Sequence, residues 1–402
     1  MTTMDAARRD PPTWALGLAG LLSLAVAMGI GRFAFTPMLP LMLQEGQVDV
    51  AAGGWIAAAN YAGYLLGALS AARTGWAGTR LAAIALALTV LLTGAMAIPG
   101  PVAWWALLRF LGGAASAWAF VGTSVWCLTA LAQRADTTWS SALYAGVGTG
   151  IALAGLQCLV GGAAGWSAGA LWLQLAALAG VLLLPVLLVL RRVRTPTAPP
   201  RAAAATQAAA KVDGGWGLVT CYAVFGFGYI LPATFLPVMA RSVVQDPRLF
   251  GLAWPVFGIT AAISTIVAAR VLRRVSRLQV WAVSHALMGV GVLLPSVWLS
   301  GWSIGLSALL VGGTFMVATL AGVQEMRARA AHDAPRMLAR MTSGFATGQI
   351  VGPLLSTALL HVTPDHGLDL ALQAGAASLF LTAAWLWRAV SLSRFPEVSH
   401  VR

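Results

Sequence analysis

The chain has 402 residues, of which 59% are hydrophobic and only 9% carry a charge, and its mean hydropathy is +0.81. These values exclude a soluble globular protein, because the apolar segments are too long and too numerous for one buried core. The net charge of +13 does not indicate nucleic-acid binding, since the basic residues form short clusters between hydrophobic runs, as topology signals do.

Twelve apolar segments predict an all-α polytopic membrane protein with twelve transmembrane helices. They cover residues 14–43, 51–71, 81–98, 102–130, 139–162, 166–190, 215–240, 250–270, 279–299, 302–324, 337–361 and 367–391. A polar connection rich in proline and charge divides them six and six. We therefore predict an N-terminal six-helix bundle at 1–190, a cytoplasmic linker at 191–214 and a C-terminal six-helix bundle at 215–402.

The first segment contains an arginine near mid-membrane. Arg32 lies roughly 18 Å from the nearer end of the segment at ~1.5 Å per residue, and an arginine at a helix centre costs about 2.5–3.5 kcal/mol. The protein must therefore provide an internal site for it. Gly29 and Gly31 would let a neighbouring helix or a ligand approach. The alternative is a packing helix in which Arg32 pairs with Glu45 or Asp49.

The fourth segment contains a second arginine, Arg109. Gly112 and Gly113 follow it and favour a side chain that points into the bundle, although the side chain could instead reach outward to the membrane surface. Arg32 and Arg109 could converge on one anion, because a guanidinium offers paired donors that suit carboxylate, sulfonate or phosphate.

Further polar residues recur within the spans at helical spacing. The candidates to contact a substrate are Thr36, Asn60, Tyr64, Tyr222, Tyr229 and Gln349. Each could equally belong to a packing seam or an interhelical hydrogen bond. No Asp or Glu lies deep within a span, so a coupling proton would travel on the substrate or through an unusual group.

The three cysteines, Cys127, Cys158 and Cys221, show no metal-ligand or redox spacing. No His-Glu-x-x-His, Gly-x-Ser-x-Gly or nucleotide-binding loop occurs in the sequence either. We expect no metal, no cofactor and no enzyme activity. The alternative from a different functional class is a membrane-embedded sensor or enzyme.

The two halves of the sequence repeat each other. Gly29, Gly31, Pro40 and Met42 match residues 226, 228, 237 and 239 at an offset of 197. The fifth and eleventh segments match at an offset of 198, and Gly112-Gly113 matches Gly312-Gly313 at an offset of 200. Parallel repeats with a site between the halves are typical of transporters.

The distribution of basic residues predicts the orientation. With the N-terminus inside, 21 of the 25 Lys and Arg residues fall on the inner side, two on the outer side and two within spans. Both termini are therefore expected in the cytoplasm.

The stretch Gly-Ile-Gly-Arg-Phe-Ala-Phe-Thr-Pro-Met-Leu-Pro at 29–40 resembles the major facilitator superfamily, and within it the YbfB/YjiJ-type bacterial members. Residues 109–117 resemble the superfamily's fourth-span arginine motif, and the glycines at 344, 348 and 352 resemble its fifth-span motif. This resemblance implies two pseudo-symmetric six-helix bundles in the bacterial inner membrane, with spans 1, 4, 7 and 10 lining the central cavity.

Residues 67–75 resemble the superfamily's cytoplasmic gating motif. Arg73 and Gly75 are the expected gating residues, but Ala72 stands where the motif usually has Asp. We predict a monomeric secondary transporter that moves a small solute across the bilayer by alternating access. The two arginines favour a small organic anion as the substrate, and the many tryptophans and phenylalanines leave efflux of a hydrophobic or aromatic compound as the alternative.

Overall fold

A computed structural model of the protein describes residues 10–71, 73–134, 139, 142–193, 215–243, 251–329 and 334–394. Within these ranges it forms twelve long helices and no strands. They are α1 (Thr13–Gln44), α2 (Val50–Ala71), α3 (Gly78–Ala95), α4 (Val102–Ala132), α5 (Ala145–Ala163), α6 (Ala168–Leu190), α7 (Gly215–Val243), α8 (Ala253–Val271), α9 (Arg277–Val297), α10 (Gly301–Arg329), α11 (Ala334–Val362) and α12 (Gly367–Arg394). The predicted all-α architecture is confirmed, whereas residues 194–214 of the predicted linker lie outside the described residues.

Eleven of these helices are long and apolar enough to cross a membrane. The exception is α2, which has 22 residues and is therefore long enough for a bilayer of about 30 Å. It carries Asn60, Tyr61 and Tyr64, all of them buried. Because these polar groups face the protein interior, α2 can be less apolar than its neighbours.

The first helix is not continuous. It is α-helical over Thr13–Leu24, becomes a π-helix over Ala25–Ile30 and resumes as an α-helix only at Phe35. Pro37 lacks an amide hydrogen and cannot bond to the Phe33 carbonyl, which accepts instead from Thr36 N–H at 3.3 Å. The carbonyl of Arg32 loses its usual helical partner as a result, so the break lies at the predicted Arg32 stretch.

Glycines allow helices to approach closely in the same way in both halves of the chain. A Cβ on Gly150 of α5 would lie 2.2 Å from the Ala25 carbonyl oxygen, and one on Gly348 of α11 would lie 2.1 Å from the Ala223 carbonyl oxygen. The α1–α5 and α7–α11 crossings are therefore equivalent, as the repeat predicts.

The fourth and tenth helices repeat with a different offset from the predicted one. A Cβ on Gly113 would approach the Asn60 carbonyl oxygen to 2.0 Å, and one on Gly312 would approach the Phe257 carbonyl oxygen to 2.5 Å. Gly112 and Gly313 face open space. Packing thus pairs Gly113 with Gly312, an offset of 199 rather than 200.

The two halves of the chain, residues 10–193 and 215–394, contact each other through α2 with α11, α5 with α8, and α1 with α7. Among the described residues, the hydrogen bonds toward the end of the molecule that contains Gln44 include those from Thr36 Oγ1 to the Ala233 carbonyl (2.6 Å), from Thr357 Oγ1 to the Ala51 carbonyl (3.4 Å) and from Arg241 to the Pro40 carbonyl. The halves are therefore hydrogen-bonded to each other toward the Gln44 end.

The two adjacent glycines of α4 provide a test of the close approach between α2 and α4. Gly113→Ala should destabilise the protein by about 1–3 kcal/mol, because the new methyl group would overlap a backbone oxygen. Gly112→Ala should be neutral or stabilise by up to about 1 kcal/mol, because its methyl group enters open space and alanine favours the helix. Melting temperatures of the two purified variants would measure this difference, and equal values would contradict the packing.

Candidate binding site around Arg32

Arg32 lies in the break of α1 and is only 3% exposed. Its Nη2 donates a hydrogen bond to Gln349 Oε1 at 2.6 Å, which connects α1 in the first half to α11 in the second. The Gln349 amide in turn donates to the hydroxyl of Tyr229 on α7. Arg32 Nε is buried without a hydrogen-bond partner. The cation is thus held between the two halves by a neutral amide and keeps an unused donor.

Aromatic rings surround the guanidinium of Arg32. Its Cζ lies 3.8 Å from the ring centroid of Tyr64, 5.4 Å from that of Tyr61 and 5.3 Å from that of Phe33. Such cation–π contacts stabilise a desolvated cation by up to about 2 kcal/mol. They supply no charge, so they lower the cost of burying Arg32 without neutralising it.

The rings of the second half continue this aromatic surface. Tyr229 stacks between Phe315 of α10 and Phe345 of α11, with centroids 5.6 Å apart on both sides. Phe315 also meets Phe33 of α1 edge to face at 6.5 Å. Planar groups therefore lie on both sides of the contact between Arg32 and Gln349.

No carboxylate compensates Arg32 among the described residues. The buried charged side chains in these ranges are Arg32 and Arg109, with His285 as a further titratable group. Glu45 accepts hydrogen bonds from Gln47 and the Ala168 amide, and Asp49 accepts one from the Ala52 amide. The alternative in which Arg32 pairs with Glu45 or Asp49 is therefore wrong.

Arg109 is also buried, at 4% exposure, but its two terminal nitrogens serve the backbone of α1. Nη1 donates to the Gly31 carbonyl at 2.7 Å and Nη2 donates to the Arg32 carbonyl. These carbonyls lie at the break of α1. Arg109 therefore braces the backbone that carries Arg32, and the alternative of an outward-reaching Arg109 is wrong. That both arginines contact one anion stays a prediction.

The other predicted site residues fall into two groups. Asn60, Thr36 and Tyr64 lie around the two arginines: Asn60 Nδ2 donates to the Arg109 carbonyl at 2.8 Å, and its Oδ1 is buried without a partner. Tyr222 instead packs among Phe225, Trp281 and Phe345. The structure thus brings Arg32, Tyr64, Tyr229 and Gln349 together and gives Tyr222 a neighbouring aromatic environment.

The predicted gating residues lie in the turn between α2 and α3. Arg73 and Gly75 are both exposed, and Gly75 has a φ of +64°, a conformation that glycine adopts without strain. Ala72, at the position where the gating motif usually has Asp, lies outside the described residues. A gating role for Arg73 and Gly75 stays a prediction.

Sequence analysis missed several residues of this site. Tyr61 bonds to Thr234 across the halves, with 3.1 Å between the two hydroxyl oxygens, and Phe33, Phe315 and Phe345 line the aromatic surface. Tyr61 lies three residues before Tyr64, so helical spacing could have placed both on one face. The phenylalanines carry no comparable signal, because an apolar ring in a membrane helix more often faces lipid or core.

The role of Arg109 as a brace can be tested by its lysine variant. Arg109→Lys should lower the free energy of unfolding by about 1.5–3 kcal/mol, because lysine cannot donate to both carbonyls in the planar geometry of a guanidinium. The melting temperature of the purified protein would report the loss, with the exposed Arg80→Lys as the control. An unchanged melting temperature would contradict the brace and favour an Arg109 that faces a ligand.

The chain was compared with known proteins by sequence and by structure. The sequence model of a family described as uncharacterised MFS-type transporter YbfB matches residues 24–386. No curated protein sequence matches significantly.

Two solved structures of the nucleoside transporter NupG resemble this chain. A point mutant of NupG superimposes with a TM-score of 0.70 at 16% identity, covering 94% of this chain and 99% of that chain. A second NupG structure gives a TM-score of 0.64 at 14% identity, covering 96% and 99%. Similarity at this level of identity shows a shared fold.

The family match extends over most of the chain and includes both Arg32 and Gln349. The twelve-helix architecture and the structural similarity agree with it. The chain therefore belongs to the YbfB-type family of major facilitator superfamily transporters and is a multi-pass membrane transporter, not an enzyme.

Proposed function

We propose that this transporter moves a small organic anion by alternating access, with Arg32 as the principal contact for the anion. The observation that carries the proposal is the arginine itself: a guanidinium that is 3% exposed, lies between the two halves and is held by a neutral amide. A buried charge is costly unless it is paired. An anion that binds here would supply the missing charge.

The geometry favours an anion with paired oxygens. Arg32 has a buried Nε without a partner next to Nη2, which is held by Gln349. A carboxylate, sulfonate or phosphate can accept from both nitrogens at once, which gives a stronger interaction than a single amide oxygen. Displacing Gln349 would therefore free a planar pair of donors.

The rings around Arg32 favour an aromatic anion. Tyr64, Tyr61 and Phe33 surround the guanidinium, and Tyr229 stacks with Phe315 and Phe345 on the other side. A ligand ring could replace part of these offset-stacked contacts. Benzoate, 4-hydroxybenzoate, benzenesulfonate and phenyl phosphate are therefore the first anions to test.

A neutral, ring-bearing polar solute is the second candidate. It is suggested by NupG, whose structures are those of a nucleoside transporter. Asn60 Oδ1, buried without a partner, is an acceptor that such a solute could use. Efflux of a hydrophobic or aromatic compound is the third candidate function. A thermal-shift screen that includes nucleosides, the anions above and apolar amines would separate the three, because a ligand of the folded state raises its melting temperature.

Arg32→Met tests the anion site directly. The variant should lose the thermal shift caused by benzoate or benzenesulfonate, while its own melting temperature stays equal to or above that of the parent, because removing a buried charge relieves a desolvation cost. Arg32→Lys should bind at least about tenfold more weakly, since lysine lacks the planar donor pair. A stable Arg32→Met protein that binds these anions normally would contradict the proposal.

We further propose that the transporter is a monomer in the bacterial inner membrane with both termini in the cytoplasm. Residues 1–190 and 215–402 form its two six-helix bundles. Any coupling proton travels on the substrate. The bias of basic residues supports the orientation.

The orientation can be tested by labelling a cysteine introduced in the linker, after replacing the three native cysteines. Thr206→Cys should react with a membrane-impermeant thiol reagent only in opened cells or inverted vesicles. Labelling in intact cells would contradict the proposed topology.

A further inference from the structure

We propose that Gln349 is an internal stand-in for the substrate anion. Its side-chain carbonyl solvates Arg32 when no anion is bound and so allows the unloaded carrier to change conformation. The inference rests on the proposed anion transport and assigns Gln349 the role of a competitor of the substrate. The same residue would thereby determine whether the carrier performs net transport or only exchange.

The contacts of Gln349 fit this role. The residue is 0% exposed, its Oε1 accepts from Arg32 Nη2 at 2.6 Å, and its amide donates to the Tyr229 hydroxyl. Its acceptor and its donor are therefore both directed at the centre of the protein. The interaction is one that the chain makes with itself across the two halves.

Neither the repeat nor the packing requires an amide at this position. The offset of 198 that relates α5 to α11 pairs Gln349 with Ile151, which is fully buried in the first half. The first half thus accommodates an apolar residue at the position equivalent to Gln349. Gln349 bonds to both Arg32 and Tyr229. These two residues occupy equivalent positions in the two halves at the offset of 197. Gln349 therefore joins a charged residue of the first half to the uncharged residue at the equivalent position of the second half.

Alternating access requires the binding site to pass through a state closed to both faces. A guanidinium without an acceptor would carry a large desolvation penalty in that state. The amide oxygen lowers the penalty for the unloaded carrier. A carboxylate or sulfonate lowers it further because it adds charge and a second acceptor, so it can displace the amide.

Arg32 lies where a hydrogen bond between the halves can survive their movement. One helical turn further along α1, Thr36 Oγ1 bonds to the carbonyl of Ala233, and these two residues are themselves related by the offset of 197. Equivalent positions meet each other only beside the pseudo-symmetry axis. In alternating access the halves rock around a site near mid-membrane, and Arg32 lies both near mid-membrane and beside this axis, so the Arg32–Gln349 bond can persist while the distant helix ends separate.

The test is to compare net transport with exchange in liposomes that contain purified Gln349→Leu. Benzenesulfonate is the probe, because it stays ionised and does not cross the bilayer unaided. Exchange of labelled for unlabelled benzenesulfonate should continue, whereas net efflux into anion-free buffer should fall at least about tenfold. The apparent affinity should rise about tenfold, equivalent to about 1.4 kcal/mol, because a competitor has been removed.

Two further variants make the result specific. Gln157→Leu removes a partly buried amide that bonds to Gln174 within the first half, and it should leave the ratio of net efflux to exchange unchanged. Gln349→Glu supplies a permanent carboxylate to Arg32, so this folded variant should neither bind nor exchange benzenesulfonate. If Gln349→Leu does not fold, Gln349→Met tests the expected loss of net efflux with retained exchange. Gln349→Glu still tests the expected loss of benzenesulfonate binding.

Each outcome decides the proposal. Net efflux and exchange that both equal those of the parent would overturn the stand-in while leaving anion transport intact. Loss of both activities in a folded Gln349→Leu protein would make Gln349 a substrate contact and would also overturn it, as would normal binding by Gln349→Glu. A parent protein that neither binds nor exchanges any anion of the panel would overturn the proposed function and, with it, this inference.

Discussion

The structure depends on one unusual constraint, a buried arginine without a buried acid to pair with among the described residues. Arg32 meets this constraint with neutral groups: the Gln349 amide oxygen and the faces of Tyr64, Tyr61 and Phe33. These partners come from both halves of the chain. The interaction that stabilises the cation therefore also joins the halves, and any ligand that binds Arg32 must act on their contact.

The break in α1 connects this constraint to the backbone. Pro37 removes a donor, the helix winds as a π-helix over Ala25–Ile30, and the carbonyls of Gly31 and Arg32 are left to accept from Arg109. Broken helices in membranes are tolerated where a neighbour satisfies the freed groups. Arg109 is that neighbour, so two arginines share one site but have different tasks: one holds the backbone, and the other faces the second half.

Sequence reasoning predicted the helices well because the bilayer imposes a simple rule of length and polarity. It predicted burial of Arg32 for the same reason. It could not identify Gln349 as the partner, because the two residues are 317 positions apart and a polar residue on α11 does not reveal which helix it will meet. It left the direction of Arg109 open, since small residues around an arginine allow either an inward or an outward side chain.

In the repeat, the offset read from the sequence differs from the offset at which the helices pack. Aligning the pair Gly112-Gly113 with the pair Gly312-Gly313 by residue type gives an offset of 200. Matching the two glycines that pack against Asn60 and Phe257 gives an offset of 199. The glycine that matters is the one beneath a neighbouring carbonyl, and sequence identity alone does not distinguish it from its neighbour.

The polar contacts between the halves determine how firmly the halves are held together. Ion pairs among the described residues include those of Glu325 with Arg277 and Arg329, both within the second half. Across the halves, the hydrogen bonds toward the Gln44 end include those from Thr36, Thr357 and Arg241, each to a backbone carbonyl. Bonds of this kind contribute only about 0.5–3 kcal/mol each. In the proposed function, one anion at Arg32 would act against only a few such bonds, so its binding would be enough to shift a balance between two arrangements of the halves.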